Sequence, residues 1–163
     1  MGQKSKHEGA LGRQFAALPF KEHAGETLVL LVTSRDTGRW VLPKGWAERG
    51  LSGAELAARE AYEEAGIRGV TVDKSVGSYH YSKRLPEGRR VDCLVEVFPL
   101  RVTEVLETWP EAHQRRREWF PLGRAALHVD ESELVTMLEA LADPNAGPEM
   151  GLLQVPRSEH RAN

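Results

Sequence analysis

One cysteine, Cys93, stands in 163 residues, so no intrachain disulfide can form and a small secreted scaffold held by disulfides is excluded. Its apolar neighbours Leu94 and Val95 mark it as a buried thiol, which suits a reducing cytoplasm. No apolar run approaches the ~20 residues that cross a bilayer, and the N-terminus has no signal-type apolar core. The Met1-Gly2 start also lacks the Ser or Thr that myristoylation needs at the sixth position, where Lys6 stands. A cytoplasmic chain with no membrane partner is therefore expected. Neither sign of charge is in excess, since 22 Lys and Arg face 24 Asp and Glu for a formal charge of −2. That balance offers no global field to a nucleic-acid polymer, so any basic patch must be local. There is no internal repeat.

What is present is an apolar content of 40%, enough at this length for one domain with a real core. The expected division is a loose N-terminus over 1–10, a folded domain over 11–143, and a mobile tail over 144–163, where prolines recur without periodicity. Strands are expected over Arg13–Phe20, with Pro19 demoting its end to an edge or bulge, and over Thr27–Thr33 and Trp40–Leu42. Val70–Tyr81 and Arg90–Val102 should flank a hairpin tip at Leu85–Gly88, with Trp119-Phe120 adding a short strand. Asp130 and Glu133 have the spacing of a capping box, opening a helix to about Leu141 whose Leu134, Met137, Leu138 and Leu141 form a core-facing stripe. Strands on both sides of a central helix, with a closing helix, predict an α/β (α+β) fold in which a mixed central sheet lies between helices.

The chemistry concentrates between Trp40 and Ile67. Ser52 and Glu55 form a capping box, alanines recur at 54, 58, 61 and 65, and Gly66 tolerates the left-handed geometry of a helix end, which predicts a helix over Gly53–Ala65. The alanine stripe lets one face lie close against a sheet, while the polar face carries Glu60, Glu63 and Glu64 at i, i+3 and i+4. On an open surface such carboxylates cost only ~0.2 to 0.5 kcal/mol per pair. In a partly dry cleft, at ~4 Å, the repulsion rises to about 4 kcal/mol, and a hard divalent cation with oxygen ligands, Mg²⁺ or Mn²⁺, offsets it. Spacing alone leaves both readings open.

The whole string separates them. Gly45, Arg59, Glu60, Ala61, Glu63, Glu64, Gly66 and Ile67 fall at the spacing G-x5-E-x7-R-E-U-x-E-E-x-G-U, with U aliphatic. The chain thus resembles the Nudix hydrolases, and the resemblance implies an α/β/α sandwich and hydrolysis of a diphosphate linkage with Mg²⁺ or Mn²⁺. It further implies that Glu60 and Glu64 hold metal, that Glu63 is the general base, that a Lys44 or Gly45 carbonyl adds a metal ligand, and that Arg59 and Gly66 are structural. One position departs: Leu51 stands where the family has a glutamate that pairs with the box arginine, leaving Glu48 or Glu55 as alternative partners for Arg59.

A second resemblance runs from about Arg13 to Phe120. TEVLETW at Thr103–Trp109, RRREWF at Arg115–Phe120 and SRDTGRW at Ser34–Trp40 are similar to the diphosphoinositol polyphosphate phosphohydrolase branch, whose members also cleave diadenosine polyphosphates. It implies substrate contacts by Arg13, Ser34, Arg35, Lys44, Arg89 and Arg115, with Lys83, Arg84 and Arg90 able to extend the rim, since arginine suits bidentate phosphate contacts. The expected partner is a highly phosphorylated small molecule. Where that branch has a Gly-Gly-Gly loop this chain has Lys44-Gly45-Trp46, which sets a phosphate contact and a stacking surface there. Trp40 and Trp119 read as core. The alternatives are a Nudix-type hydrolase of a nucleoside diphosphate-linked substrate and a non-catalytic Nudix-like nucleotide sensor, the second of which loss of a helix carboxylate would favour; none is lost.

Overall fold

The computed structural model describes residues 11–145 and 151–157. Its centre is an eight-stranded mixed sheet. The strands are β1 (Gly12–His23), β2 (Glu26–Thr33), β3 (Trp40–Val41), β4 (Lys44–Trp46), β5 (Ile67–Thr71), β6 (Gly77–Arg84), β7 (Arg90–Val105) and β8 (Arg117–Pro121). Their order is β3-β2-β1-β7-β5, with β4 added to β1, β6 to β7 and β8 to β2. Only the long central pair β1 and β7 runs parallel among these pairings.

Alternation along the strands builds two cores. Ala16, Leu18 and Phe20 face one side with Val29, Leu31, Val95 and Val97, where helix α3 (Ser132–Ala142) closes over them with Leu134, Met137 and Leu138. Ala17, Leu30, Val32, Phe98 and Leu100 face the other side, against Ala54, Ala57, Ala61 and Ala65 of helix α1 (Gly53–Ala65). A short helix, α2 (Leu122–Ala125), joins β8 to α3. The sheet therefore lies between helices, as expected, and Trp40 and Trp119 both pack partly buried against the cores.

Several local expectations change in the fold. Pro19 lies inside the central strand, paired with Leu100 on β7. On its other edge β1 pairs with β4 through Ala16 and with β2 from Phe20 onward, so the nitrogen without a hydrogen falls in the changeover between two ladders. Lys44–Trp46, read as loop, is a strand on β1. The Val70–Tyr81 run is divided, its two halves pairing with different parts of β7. The Asp130–Glu133 capping box does not form: Asp130 takes the Arg39 guanidinium at 2.7 Å, and Glu133 takes the His80 backbone N–H and ring at 2.7 and 2.8 Å. Part of the supposed tail is also docked. Gly151–Gln154 forms a 3-10 turn, Leu152 and Val155 are buried, and Arg101 donates to the Val155 and Pro156 carbonyls while pairing with Glu22. The expectation of a loose start over 1–10, and those for 146–150 and 158–163, lie outside the described residues.

Candidate active site

Helix α1 is set by its own ends. The Ser52 hydroxyl accepts from the Glu55 N–H while Glu55 accepts from the Ser52 N–H, and Gly66 ends the helix in the left-handed region at φ 67°. Its last carbonyls, which no helical donor reaches, are taken by the segment between β7 and β8 and by the first residue of β8. The Glu111 N–H donates to Glu63 O, the Trp109 indole to Glu64 O, and Arg117 to Ala65 O, with the guanidinium stacked 3.9 Å from the Trp109 ring centroid. This clamp fixes the acidic face against the sheet. It was hidden in TEVLETW and RRREWF, whose resemblance carried no such role.

A cleft of about 930 Å³ opens beside β4, and the wall brings together Ser34, Arg35, Lys44, Gly45, Arg59, Glu60, Glu64 and Arg115 from the expected set. Because side chains alternate along a strand, Gly45 turns toward α1 and Lys44 and Trp46 turn the other way. A Cβ on Gly45 would stand 2.5 Å from the Glu60 carboxyl, so only glycine lets this carboxylate reach the strand. Glu60 and Glu64 stand near enough on the helix face for the charge of Glu64 to act on the Glu60 carboxyl. Burial, reinforced by Glu64 and Glu63, pushes the Glu60 carboxyl from 4.5 up to about 8. Burial raises Glu64 as well, against the lowering pull of Arg115 and Lys44, and its Oε1 accepts from the Lys44 N–H at 3.3 Å. Such a pair is costly to ionise unaided, and the all-oxygen donor set fits a hard divalent cation.

The three glutamates do not close on one point. Glu63 is half-buried beside Glu60 but is not on the cleft wall, and among the described residues no three His, Cys, Asp or Glu side chains converge as a preformed cage. Arg59 meets Glu48 through both terminal nitrogens, at 3.1 and 2.9 Å, so Glu48 rather than Glu55 fills the place left by Leu51. The Arg59 Nε is buried without a partner. Glu55 serves the helix cap instead.

The expected arginine rim is rearranged. Arg115 is buried, its Nε on Glu111 at 2.7 Å, one terminal nitrogen donating to Thr33 O at 2.9 Å and the other 3.4 Å from Glu64. Arg35 donates to Gln114. The Ser34 hydroxyl is turned to its own loop, near the Asp36 and Thr37 N–H groups. Arg13 and Arg89 lie off the wall, the first 3.7 Å from Glu96 and the second paired with Glu87 at the hairpin tip. Lys83 and Arg84 do line the cleft, as do Glu48, Glu111, Gln14 and Tyr81, which the sequence had not singled out for substrate. Lys44 holds its ammonium 4.7 Å from the Tyr81 ring centroid, and burial lowers its pKa despite Glu64 nearby.

A mixed sheet between helices, with a box-bearing helix that turns paired carboxylates into a cleft, defines an α/β/α class in which function is carried by the site and not by the fold. The chain belongs to the NUDIX domain family, which it matches over residues 10–141. It is 37% identical over 127 residues to Nudix hydrolase 21, chloroplastic, of Arabidopsis thaliana, covering 74% of this chain and 60% of that protein. To diphosphoinositol polyphosphate phosphohydrolase 2 of Rattus norvegicus it is 32% identical over 115 residues, covering 69% and 60% respectively. The chain thus spans about three-fifths of these relatives. In fold it is similar to a C. elegans Ap4A hydrolase binary complex, with a TM-score of 0.60 at 20% identity over 78% of this chain and 93% of that one. It is likewise similar to the NUDIX domain of Shewanella oneidensis NrtR complexed with ADP ribose, at TM-score 0.56 and 16% identity over 84% and 96%. No helix among the described residues is long and apolar enough to cross a membrane.

Proposed function

We propose that this protein is a divalent-metal-dependent hydrolase of a diphosphate linkage in a phosphorylated small molecule. The observation that carries the reading is the Glu60–Glu64 pair, each raised in pKa chiefly by burial, with Glu60 against Gly45 and with Lys44 on the wall of the same cleft. Glu60 and Glu64 would hold Mg²⁺ or Mn²⁺, with a carbonyl of Lys44 or Gly45 as a further ligand. The ion, when bound, neutralises phosphate charge and lowers the pKa of attacking water. Lys44 meets a phosphate oxygen of the substrate. Glu63, beside the pair, takes the proton from water in this reading. Diphosphoinositol polyphosphates and diadenosine polyphosphates are the two substrate types that follow from the relatives. The buried free thiol of Cys93 suits a reducing compartment such as the cytoplasm.

The test is a panel of diphosphate substrates with Mg²⁺ and with Mn²⁺, run on wild type, Glu64→Gln and Glu63→Gln. Hydrolysis by wild type that falls at least ~100-fold in each variant, with the fold intact by circular dichroism, supports the assignment. Retained turnover in Glu63→Gln moves the base elsewhere. Binding without hydrolysis of any diphosphate would replace the enzyme with a sensor.

A further inference from the structure

The face of β4 that carries Lys44 is turned away from the α1 carboxylates and has donors of its own. In the β1–β4 ladder Lys44 pairs with Ala16 and Trp46 with Gln14, while Gly45, which faces Glu60, pairs with Phe15. Cross-strand partners share a face, so Gln14 lies with Lys44. Along β6, Tyr81 and Lys83 alternate onto the side of the buried Tyr79, which belongs to the same core as Ala16. Gln14, Lys44, Tyr81 and Lys83 all line the cleft.

Tyr81 sets both Gln14 and Lys44. Its hydroxyl donates to Gln14 Oε1 at 3.0 Å, and the Lys44 ammonium stands 4.7 Å from its ring centroid, within cation–π range. The hydroxyl contact fixes which end of the amide faces out. Gln14 is only 3% exposed, and with Oε1 taken its Nε2 donor has no hydrogen-bond partner among the described residues. That nitrogen is not sealed from solvent, so it opens on the cleft.

The charges around it agree. Arg59 is held by Glu48, Arg115 by Glu111, Glu64 and the Thr33 carbonyl, and Arg35 by Gln114. That leaves Lys44, Lys83 and Arg84 as wall cations not already held by a carboxylate or amide among the described residues. Lys44 and Lys83 are near enough to repel. Glu131, just ahead of α3, attracts Lys44, but its buried Oε1 has no hydrogen-bond partner and does not tie the ammonium down. Two such ammoniums beside an oriented N–H are offset by an anion, as the carboxylates on the other face are offset by a cation.

We propose that Gln14, Lys44 and Lys83 form a phosphate subsite on the face of β4 opposite the carboxylates, and that Tyr81 is its positioning residue, orienting the Gln14 amide through its hydroxyl and seating Lys44 on its ring. The subsite takes a phosphate of the substrate other than the one brought to the carboxylates. The identity of the anion rests on the diphosphate reading of the same cleft.

The experiment titrates inorganic phosphate into the full chain, with and without Mg²⁺, and follows its affinity and the Gln14 side-chain amide in proton–nitrogen correlation spectra, for wild type, Tyr81→Phe, Tyr81→Leu and Gln14→Glu. In wild type the amide pair should shift to saturation in both conditions, since the carboxylates are not needed to hold this anion. Tyr81→Phe keeps the ring and loses the hydroxyl, and should weaken phosphate about fivefold, the scale of one hydrogen bond. Tyr81→Leu, which also loses the seat of Lys44, should weaken it further. Gln14→Glu, which sets a carboxylate oxygen in place of the donor, should abolish binding. On a cleaved diphosphate, Tyr81→Phe should raise KM by more than it lowers kcat. A Gln14 amide that stays still in wild type, phosphate bound as tightly by Tyr81→Phe, or a Tyr81→Phe loss confined to kcat overturns the proposal. If phosphate moves the Gln14 amide but no diphosphate is cleaved with either metal, the hydrolase fails and the subsite stands. If diphosphates are cleaved and Tyr81→Phe matches wild type in phosphate affinity and KM, the reverse holds.

Discussion

In metal-free protein the stability should fall as pH rises, and Glu60 sets the window. Its carboxyl is raised in the fold from 4.5 to about 8, with burial the largest cause and the Glu64 and Glu63 charges next. Below about 4.5 folded and unfolded chains both hold the proton and nothing is lost. Between 4.5 and 8 the unfolded chain releases it while the folded chain keeps it, so the folded state binds more protons and stability declines by up to about 1.4 kcal/mol per pH unit. Above 8 both are ionised and the loss levels off. Over the interval this amounts to on the order of 5 kcal/mol, comparable with the whole stability of many domains. Glu60 is only 13% exposed at its side chain, so solvent screening does little to reduce it. The assay is urea unfolding at pH 5, 6.5 and 8 in EDTA, repeated in saturating Mg²⁺ and with Glu60→Gln. Wild type in EDTA should lose stability steadily across the series, Mg²⁺ should flatten the slope by binding the ionised pair in the folded state alone, and Glu60→Gln should remove most of it. Equal slopes for wild type and Glu60→Gln would refute the placement of these carboxylates in a dry cleft.

Three further outcomes follow from particular contacts. Gly45→Ala puts a Cβ 2.5 Å from the Glu60 carboxyl and should lower kcat by about 100-fold, the scale of an ångström-level misplacement, with a much smaller change in KM. Leu51→Glu offers a carboxylate to the Arg59 Nε that now lacks a partner, and urea unfolding should show it neutral to ~1 kcal/mol stabilising; a loss beyond ~3 kcal/mol would mean that the new charge has been buried unpaired. Ala24 holds φ 53° in the β1–β2 turn, so Ala24→Gly should raise stability by ~0.5 to 1 kcal/mol, visible as a higher Tm with activity unchanged.

Helix α1 was legible from its residues because its signals are local: Ser52, Glu55 and Gly66 act within one turn of the helix ends, and no distant partner competes for them. The same motif at Asp130 and Glu133 failed because Arg39, from the β2–β3 loop, and His80, from β6, bind those carboxylates first. The box spacing likewise located Glu60 and Glu64, since i and i+4 share a helix face whatever surrounds it. Which arginines meet the cleft is another matter. Arg13 and Arg89 are set by strand register and by the hairpin's reach, and Arg115 is consumed by Glu111, Glu64 and Thr33, none of which a linear pattern joins to it. Trp46 could be named from its place beside Gly45, but only the pairing of β4 with β1 seats its indole on Gly12 and turns it, with Lys44, away from the carboxylates. Sequence by itself determined the helix, its acids and the family. Tertiary structure decided which charges remain available to a ligand, because a charge is available only when no neighbour across the fold has already paired with it.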